Sequence, residues 1–238
     1  MLVEIKKLVK KYDGMKALDG IDLNIEEGHV IGLFGPNGSG KTTLMKVLAD
    51  LLMQHEGDIK IDGKEIGIET KKIVSYLPDV NYLDDAWTIK ESVRVFETFY
   101  EDFDKDKAEY LLREFNFTPK QRIKSLSKGN KEKVQLILAL SRRAKLFLFD
   151  EPIAGVDPAS REIVFDLILK NAPKDAAIII STHLVLDIEN IVDHVLFINR
   201  GKIILDESKK QLEEEYPDKT INEIFIDKFK MTILGGDN

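Results

Sequence analysis

The chain has 238 residues, 43% hydrophobic and 32% charged, enough for one large soluble globular domain or one with an inserted lobe. It has no cysteine, which excludes disulfides and thiolate metal sites and fits a cytoplasmic address. The 42 acidic against 35 basic residues argue against a nucleic-acid partner, no run approaches the roughly 18 apolar residues of a membrane helix, and no signal-peptide pattern opens the chain.

The first thirty residues read as a small antiparallel β layer. Met1 to Leu8 is one predicted strand, and Ile21, Leu23 and Ile25 alternate with Asp22, Asn24 and Glu26 in a second. Between them, Lys10-Lys11-Tyr12-Asp13-Gly14 places Tyr12 in a turn, where an aromatic gains little from core packing. A base-stacking platform and a half-buried turn residue both account for it. Val30 to Phe34 is an apolar run of buried-strand length, and the segment after it governs the rest of the chain. Gly35-Pro36-Asn37-Gly38-Ser39-Gly40-Lys41-Thr42-Thr43 fits the phosphate-loop pattern G-x-x-x-x-G-K-[ST]. Thr43 to Leu52 then carries Leu44, Val47, Leu48 and Leu51 at helical spacing. Strand, glycine loop and helix in that order turn backbone N–H groups and a helix N-terminus toward an anion. Lys41, expected on an exposed cradle, is suited to reach the β- and γ-phosphates, and the Thr42 hydroxyl to ligate Mg²⁺.

Gly57 to Ile61 with Asp62-Gly63 reads as a strand entering a hairpin turn, and Ile73 to Leu77 as a strand stopped by Pro78. From Asp79 to about Ser125 helical spacing takes over, at Ile89, Val93, Phe96 and Tyr100, then at Ala108, Leu111, Leu112 and Phe115. This predicts an inserted helical lobe, continuing to about 143, with Tyr82 and Trp87 at its start as core residues or a docking face. Leu126-Ser127-Lys128-Gly129-Asn130 leads into a helix bearing Val134, Ile137, Leu138 and Ser141. Leu146 to Phe149 is a predicted parallel strand covered on both faces, ending in Asp150-Glu151-Pro152 at the carboxyl end, where open α/β sheets place ligands. Asp157-Pro158 has the residues of a helix start. Ala176 to Ile180 is the next buried strand, with Ser181-Thr182-His183 at its end. Val195 to Ile198 and Ile203 to Leu205 form a hairpin-like pair. A helical tail follows, about 208–234, broken at Pro217; Thr220 and Glu223 form a capping box for a helix whose Ile221, Ile224, Phe225 and Phe229 make one stripe expected to pack on the domain. Gly235 to Asn238 is expected to fray.

Phosphoryl transfer needs a cradle, a metal, an oriented nucleophile and charge stabilisation. Asp150 is suited to hold Mg²⁺ through water, and Glu151, one residue on, to act as general base toward an attacking water. His183 closes a strand of the same type, placed to contact the γ-phosphate or that water.

In this order the motifs resemble the nucleotide-binding subunit of an ATP-binding cassette (ABC) transporter, over about Leu2 to Leu205. The resemblance implies a single ABC ATPase domain: a P-loop α/β core with a mostly parallel sheet, an N-terminal antiparallel β layer and an inserted α-helical lobe. It matches Tyr12 to the aromatic that stacks on adenine, Gly35 to Thr43 to Walker A, Leu126 to Asn130 to the signature, and Leu146 to Glu151 to Walker B with the catalytic glutamate. Ala154-Gly155-Val156-Asp157 matches the D-loop and His183 the switch histidine. Two places depart. Asp79 stands where the family has its Q-loop glutamine, either sensing the metal or capping the segment after Pro78. Lys128 and Asn130 replace a glycine and a glutamine of the signature, in the manner of a bacterial exporter-like branch, while Ser127 and Gly129 remain. The resemblance further implies that two protomers sandwich ATP and Mg²⁺ head to tail, with Ser127 and Gly129 reaching the partner's nucleotide. The lobe would then dock an integral membrane permease at the inner face of the cell membrane. A soluble ABC ATPase working on a protein or nucleic acid, and an ATP-gated subunit with little hydrolysis, are the rival readings.

Overall fold

The computed structural model describes residues 1–153 and 156–233. Alternating apolar positions fold into β1 (Val3–Tyr12) and β2 (Met15–Ile25), an antiparallel hairpin longer than predicted. Its turn is Asp13-Gly14 alone, both at positive φ (46° and 84°), as a two-residue type I′ connection requires. Tyr12 therefore ends a strand, opposite Met15, and is not a turn residue. β3 (Val30–Phe34) leads through the glycine loop into α1 (Lys41–Leu48). This helix stops at Leu48 and not at Leu52. Asp50 takes a positive φ of 52°, and the Leu51 N–H bonds back to the Lys46 carbonyl, closing the last turn. Leu51 is consequently exposed, off the buried stripe.

β4 (Glu56–Ile61) and β5 (Lys64–Glu65), joined at Asp62-Gly63, complete a four-stranded antiparallel sheet in the order β2-β1-β4-β5. The one-turn α2 (Ile68–Lys71) and β6 (Val74–Leu77) precede the helices α3 (Ile89–Phe99), α4 (Lys105–Glu114) and α5 (Lys128–Leu140). Thr88 starts α3 with a capping box that the sequence reading passed over, each of Thr88 and Glu91 accepting the other's N–H. Trp87 packs against the apolar core, whereas Tyr82 stays 37% exposed with its ring 6.2 Å from that of Phe96.

Strand and helix then alternate through β7 (Leu146–Asp150), α6 (Pro158–Asn171), β8 (Ala177–Thr182), α7 (Val185–Ile188) and β9 (His194–Asn199), and β10 (Lys202–Ser208) returns antiparallel. The resulting six-stranded sheet runs β10-β9-β3-β8-β7-β6 and is parallel apart from β10. Period-two alternation divides its residues between two cores. Leu146 and Leu148 face the antiparallel sheet and α1, whereas Phe147 and Phe149 face α5, α6 and the tail. The tail is α8 (Lys209–Glu215) and α9 (Ile221–Ile233). The Thr220–Glu223 capping box forms, and Phe225 and Phe229 stand 5.3 and 6.1 Å from Phe197, so the apolar stripe packs on the sheet. The predicted fraying segment, 235–238, lies outside the described residues.

One buried cation joins the lobe helices to the sheet. The Arg142 guanidinium pairs with Asp102 at 2.9 Å, donates to the carbonyls of Lys71, Lys72 and Val74, and stacks 4.0 Å from the Tyr100 ring.

Candidate active site

The glycine loop leaves β3 at the carboxyl edge of the parallel sheet, and close packing dictates its composition. A Cβ on Gly35 would stand 2.4 Å from the Ile198 carbonyl oxygen. Gly40 has φ 113°, and a Cβ there would meet the Ala17 carbonyl at 2.7 Å. Between them Pro36, Asn37 and Gly38 form the exposed tip, while Ser39 is buried and its backbone carbonyl accepts from the Gly201 N–H at 2.8 Å. The Ser39 hydroxyl oxygen is buried without a hydrogen-bond partner among the described residues. An orphaned donor inside an amide-lined loop suits an anion.

Lys41 is 5% exposed, not displayed on an open cradle. Its ammonium folds back on the loop, donating to the carbonyls of Gly35 (2.8 Å) and Pro36 (3.3 Å), and stands 3.4 Å from Glu151 Oε1. A buried ammonium needs partners, and the loop supplies them. Thr42, the next residue, donates its hydroxyl to Asp150 Oδ1 at 3.2 Å. Thr43 follows, half-buried in the first turn of α1.

Asp150 is fully buried at the end of β7. Register puts Ser181 of β8 directly beside it, and the Ser181 hydroxyl donates to Oδ1 at 2.5 Å; the Tyr76 hydroxyl on β6 approaches Oδ2 at 3.4 Å. Burial pushes the Asp150 carboxyl above the usual carboxylate range. The Ser181 and Thr42 hydrogen bonds pull it down, and the negative charges of Asp79 and Glu151 push it up. Such an acid gains most from a cation. Burial also raises the Tyr76 phenol, so it stays a protonated donor. Glu151 adopts a positive φ of 49°, a strained backbone fixed by its N–H donating to the Ser181 carbonyl at 3.0 Å. The strain turns its carboxylate between Lys41 and His183, whose Nδ1 lies 3.1 Å from Oε2.

Lys41, Thr42, Asp150, Glu151 and His183 thus form one connected group. Asp79 is exposed beyond β6 and shares a narrow cleft with Lys128, Glu132 and Glu151; its carboxylate makes no hydrogen bond among the described residues, so it acts there as no cap. Ser127 is the N-cap of α5, its hydroxyl accepting from the Asn130 N–H at 3.3 Å, with Gly129 in the first turn facing open space. Tyr12 stays 44% exposed at the hairpin end. No hydrogen bond or ion pair ties Ser127, Gly129 or Tyr12 to the central group among the described residues. Of the D-loop, Ala154 and Gly155 lie outside the described residues, while α6 does begin at Pro158 after Asp157. Sequence reasoning missed Tyr76 and Ser181. Ser181, in the Ser181-Thr182-His183 run, carries no charge that marks a role, and Tyr76 resembles any strand aromatic before Pro78.

Comparison with known proteins agrees with this geometry. The family model described as ABC transporter matches residues 18–154. The chain is 32% identical over 218 residues to the ABC transporter ATP-binding protein YtrB of Bacillus subtilis (strain 168), covering 90% of this chain and 75% of YtrB. It is 31% identical to the SkfA peptide export ATP-binding protein SkfE of the same organism, over 90% of this chain and 92% of SkfE. A solved ATP-binding subunit of an ABC transporter superposes with a TM-score of 0.85 at 25% identity, covering 95% of this chain and 99% of that one. The dimeric cassette MJ0796 shares the fold, with a TM-score of 0.77 at 21% identity over 87% of this chain and 98% of its own. Glycine loop, sheet order and paired acids define a P-loop ATPase. Within that class the chain belongs to the ABC transporter family, as an ATP-binding, ATP-hydrolysing cassette subunit. Among the described residues no helix is long and apolar enough to cross a membrane.

Proposed function

We propose that this subunit dimerises head to tail on ATP, with a second copy or a homologous ATPase, and powers transport through a separate integral membrane permease. The observation that carries the proposal is the linkage of Lys41, Thr42, Asp150, Glu151 and His183 at the carboxyl ends of adjacent strands. The triphosphate takes the loop, the Ser39 hydroxyl finds its missing acceptor, and the adenine stacks on Tyr12. The phosphates compete with Gly35, Pro36 and Glu151 for the Lys41 ammonium, and so release the Glu151 carboxylate. Thr42 and Asp150, with Asp79 from across the cleft, fit a hard cation by their oxygen donors and by the burial of Asp150. Mg²⁺ held by these oxygens would supply charge neutralisation to the triphosphate. Glu151 takes a proton from the attacking water, the bond from the γ-phosphorus to the bridging oxygen breaks, and ADP and phosphate leave. His183 holds the Glu151 carboxylate in position.

Ser127 and Gly129 at the N-terminus of α5 complete the partner's site, where a helix end favours anions. The permease docks on the helical lobe. A recess of about 280 Å³ lined by Leu51, Pro78, Tyr82, Phe96 and Tyr100 opens where the lobe meets the core. The export direction follows the departures at Asp79, Lys128 and Asn130 and the likeness to SkfE. A phosphonates import ATP-binding protein of Treponema denticola, 30% identical, makes direction the part that a vesicle assay decides. The composite site is tested with Ser127→Glu and a non-hydrolysable ATP analogue. The parent should run as a dimer of the 27.1 kDa chain in light scattering, and the variant should bind nucleotide yet stay monomeric. A variant that dimerises like the parent overturns the head-to-tail arrangement.

A further inference from the structure

Lys10 is a buried cation that the chemistry above leaves unused. It is 6% exposed on β1, two residues before Tyr12. Its ammonium donates to the carbonyls of Met53 (2.5 Å) and Gln54 (3.1 Å), in the segment after α1. The same ammonium stands over the Tyr12 ring, 5.3 Å from its centroid, within the range at which a cation and an aromatic face attract. One face of the ring is therefore backed by a fixed charge, while the side chain remains 44% exposed.

Strand register gives the reach of that ring. Tyr12 lies opposite Met15, and Ala17, whose carbonyl abuts Gly40, is two residues further along β2. β2 bulges at Ala17, which has no partner on β1, so at about 3.4 Å per residue and about 4.8 Å between strands the Tyr12 backbone is within roughly 8 Å of the point where β2 touches the glycine loop. A base joined through its ribose to phosphates held in the loop spans such a distance.

We infer that Lys10 is a positioning residue for purine recognition: anchored to the Met53 and Gln54 carbonyls, its ammonium holds the Tyr12 ring with one face turned outward for the base. Lys10 is too buried to meet the base itself, so it acts through Tyr12. The inference rests on the proposed role of Tyr12 as the base platform. The stacking partner is a purine, whose two fused rings offer the larger face.

The test is calorimetric titration of the parent, Tyr12→Ala, Lys10→Met and Lys10→Arg with ATP and, separately, with inorganic tripolyphosphate, which has phosphates but no base. Tyr12→Ala should weaken ATP about tenfold and leave tripolyphosphate unchanged. Lys10→Met should weaken ATP about threefold to tenfold, again without touching tripolyphosphate. Lys10→Arg, which keeps the charge over the ring and donors for the carbonyls, should restore parental ATP affinity. If Lys10→Met does not fold, Lys10→Gln still donates to a carbonyl without the charge and carries the same expectation. Equal weakening of both ligands makes Lys10 a mere strut and overturns the inference. Parental ATP affinity in Lys10→Met, with Tyr12→Ala impaired, overturns the role of Lys10 alone. An unimpaired Tyr12→Ala removes the platform and the inference with it.

Discussion

Replacing Glu151 with glutamine separates chemistry from binding. The carboxylate stands 3.4 Å from the Lys41 ammonium and 3.1 Å from His183 Nδ1, and it makes no contact that shapes the glycine loop. Losing a positioned base costs about 10²–10⁴ in rate, or about 2.7–5.4 kcal/mol of barrier at 1.36 kcal/mol per decade. The folding cost is smaller. Breaking a buried ion pair is severe when one charge is left alone, but Lys41 keeps the Gly35 and Pro36 carbonyls, and the amide oxygen still accepts from His183. We expect about 1 kcal/mol, and a Tm within about 2–4 °C of the parent without nucleotide. With Mg-ATP at a hundred times its Kd, binding adds about 2.7 kcal/mol, which hydrolysis no longer dissipates. The variant should then melt roughly 5–10 °C higher and accumulate as a dimer in size-exclusion chromatography. Phosphate release, thermal melting and elution volume measure the three quantities on one preparation. A variant that binds ATP normally and turns it over within tenfold of the parent refutes the assignment of Glu151 as base.

Asp79→Asn removes the charge facing the catalytic cleft, so half-maximal turnover should need more Mg²⁺ while Tm hardly moves; an unchanged Mg²⁺ titration denies Asp79 a part in holding the ion. Arg142→Leu strands the Asp102 carboxylate and three backbone carbonyls, a loss of about 3–5 kcal/mol, so Tm should fall by roughly 10 °C, and a fall below 2 °C contradicts the clamp. Burial raises the Asp150 carboxyl, so the folded chain keeps its proton where the unfolded chain has lost it; this group's contribution to stability is greatest in acid and declines as pH rises from the ordinary 3.8 through the raised native value. Asp150→Asn should accordingly flatten that decline and raise the Tm of the nucleotide-free protein at neutral pH, while abolishing the gain from Mg-ATP; a less stable variant at pH 7 contradicts the reasoning.

What was legible in the sequence was what local chemistry dictates. The glycine loop is set by spacing, because Gly35 and Gly40 sit where a Cβ has no room. The strand ending in Asp150 is set by an uninterrupted apolar run, and the start of α9 by a capping box three residues wide. What depends on strand order was not legible. Ser181 serves Asp150 because β8 lies beside β7 in a particular register, and Tyr76 reaches it from β6 on the other side. Arg142 and Arg143 are adjacent and identical in letter, yet one is 3% exposed in the centre of a network and the other has a side chain 75% exposed. Only the packing of the lobe helices distinguishes them. The early end of α1 belongs with these, since Asp50 gives no sign in composition that it will adopt a positive φ.

These long-range contacts converge on β6, a strand of only four residues. At its start, the carbonyls of Lys71, Lys72 and Val74 are held by Arg142, which Asp102 and Tyr100 tie to the lobe. In its middle, the Tyr76 hydroxyl meets Asp150. Beyond its end, Asp79 lines the cleft with Glu151 and with Lys128 at the start of α5. A strand of this length spans about 13 Å and is held in the sheet by its pairing with β7, so it cannot absorb a displacement at one end by bending. A shift of the lobe against the core must either break the Arg142 network or carry Asp79 with it. Breaking it would unpair a buried guanidinium and Asp102, at a cost of several kcal/mol. Carrying Asp79 costs an exposed side chain only its solvent contacts. The cheaper motion would carry the Asp79 carboxylate relative to Glu151, so the geometry couples the lobe to the cleft that these two acids line.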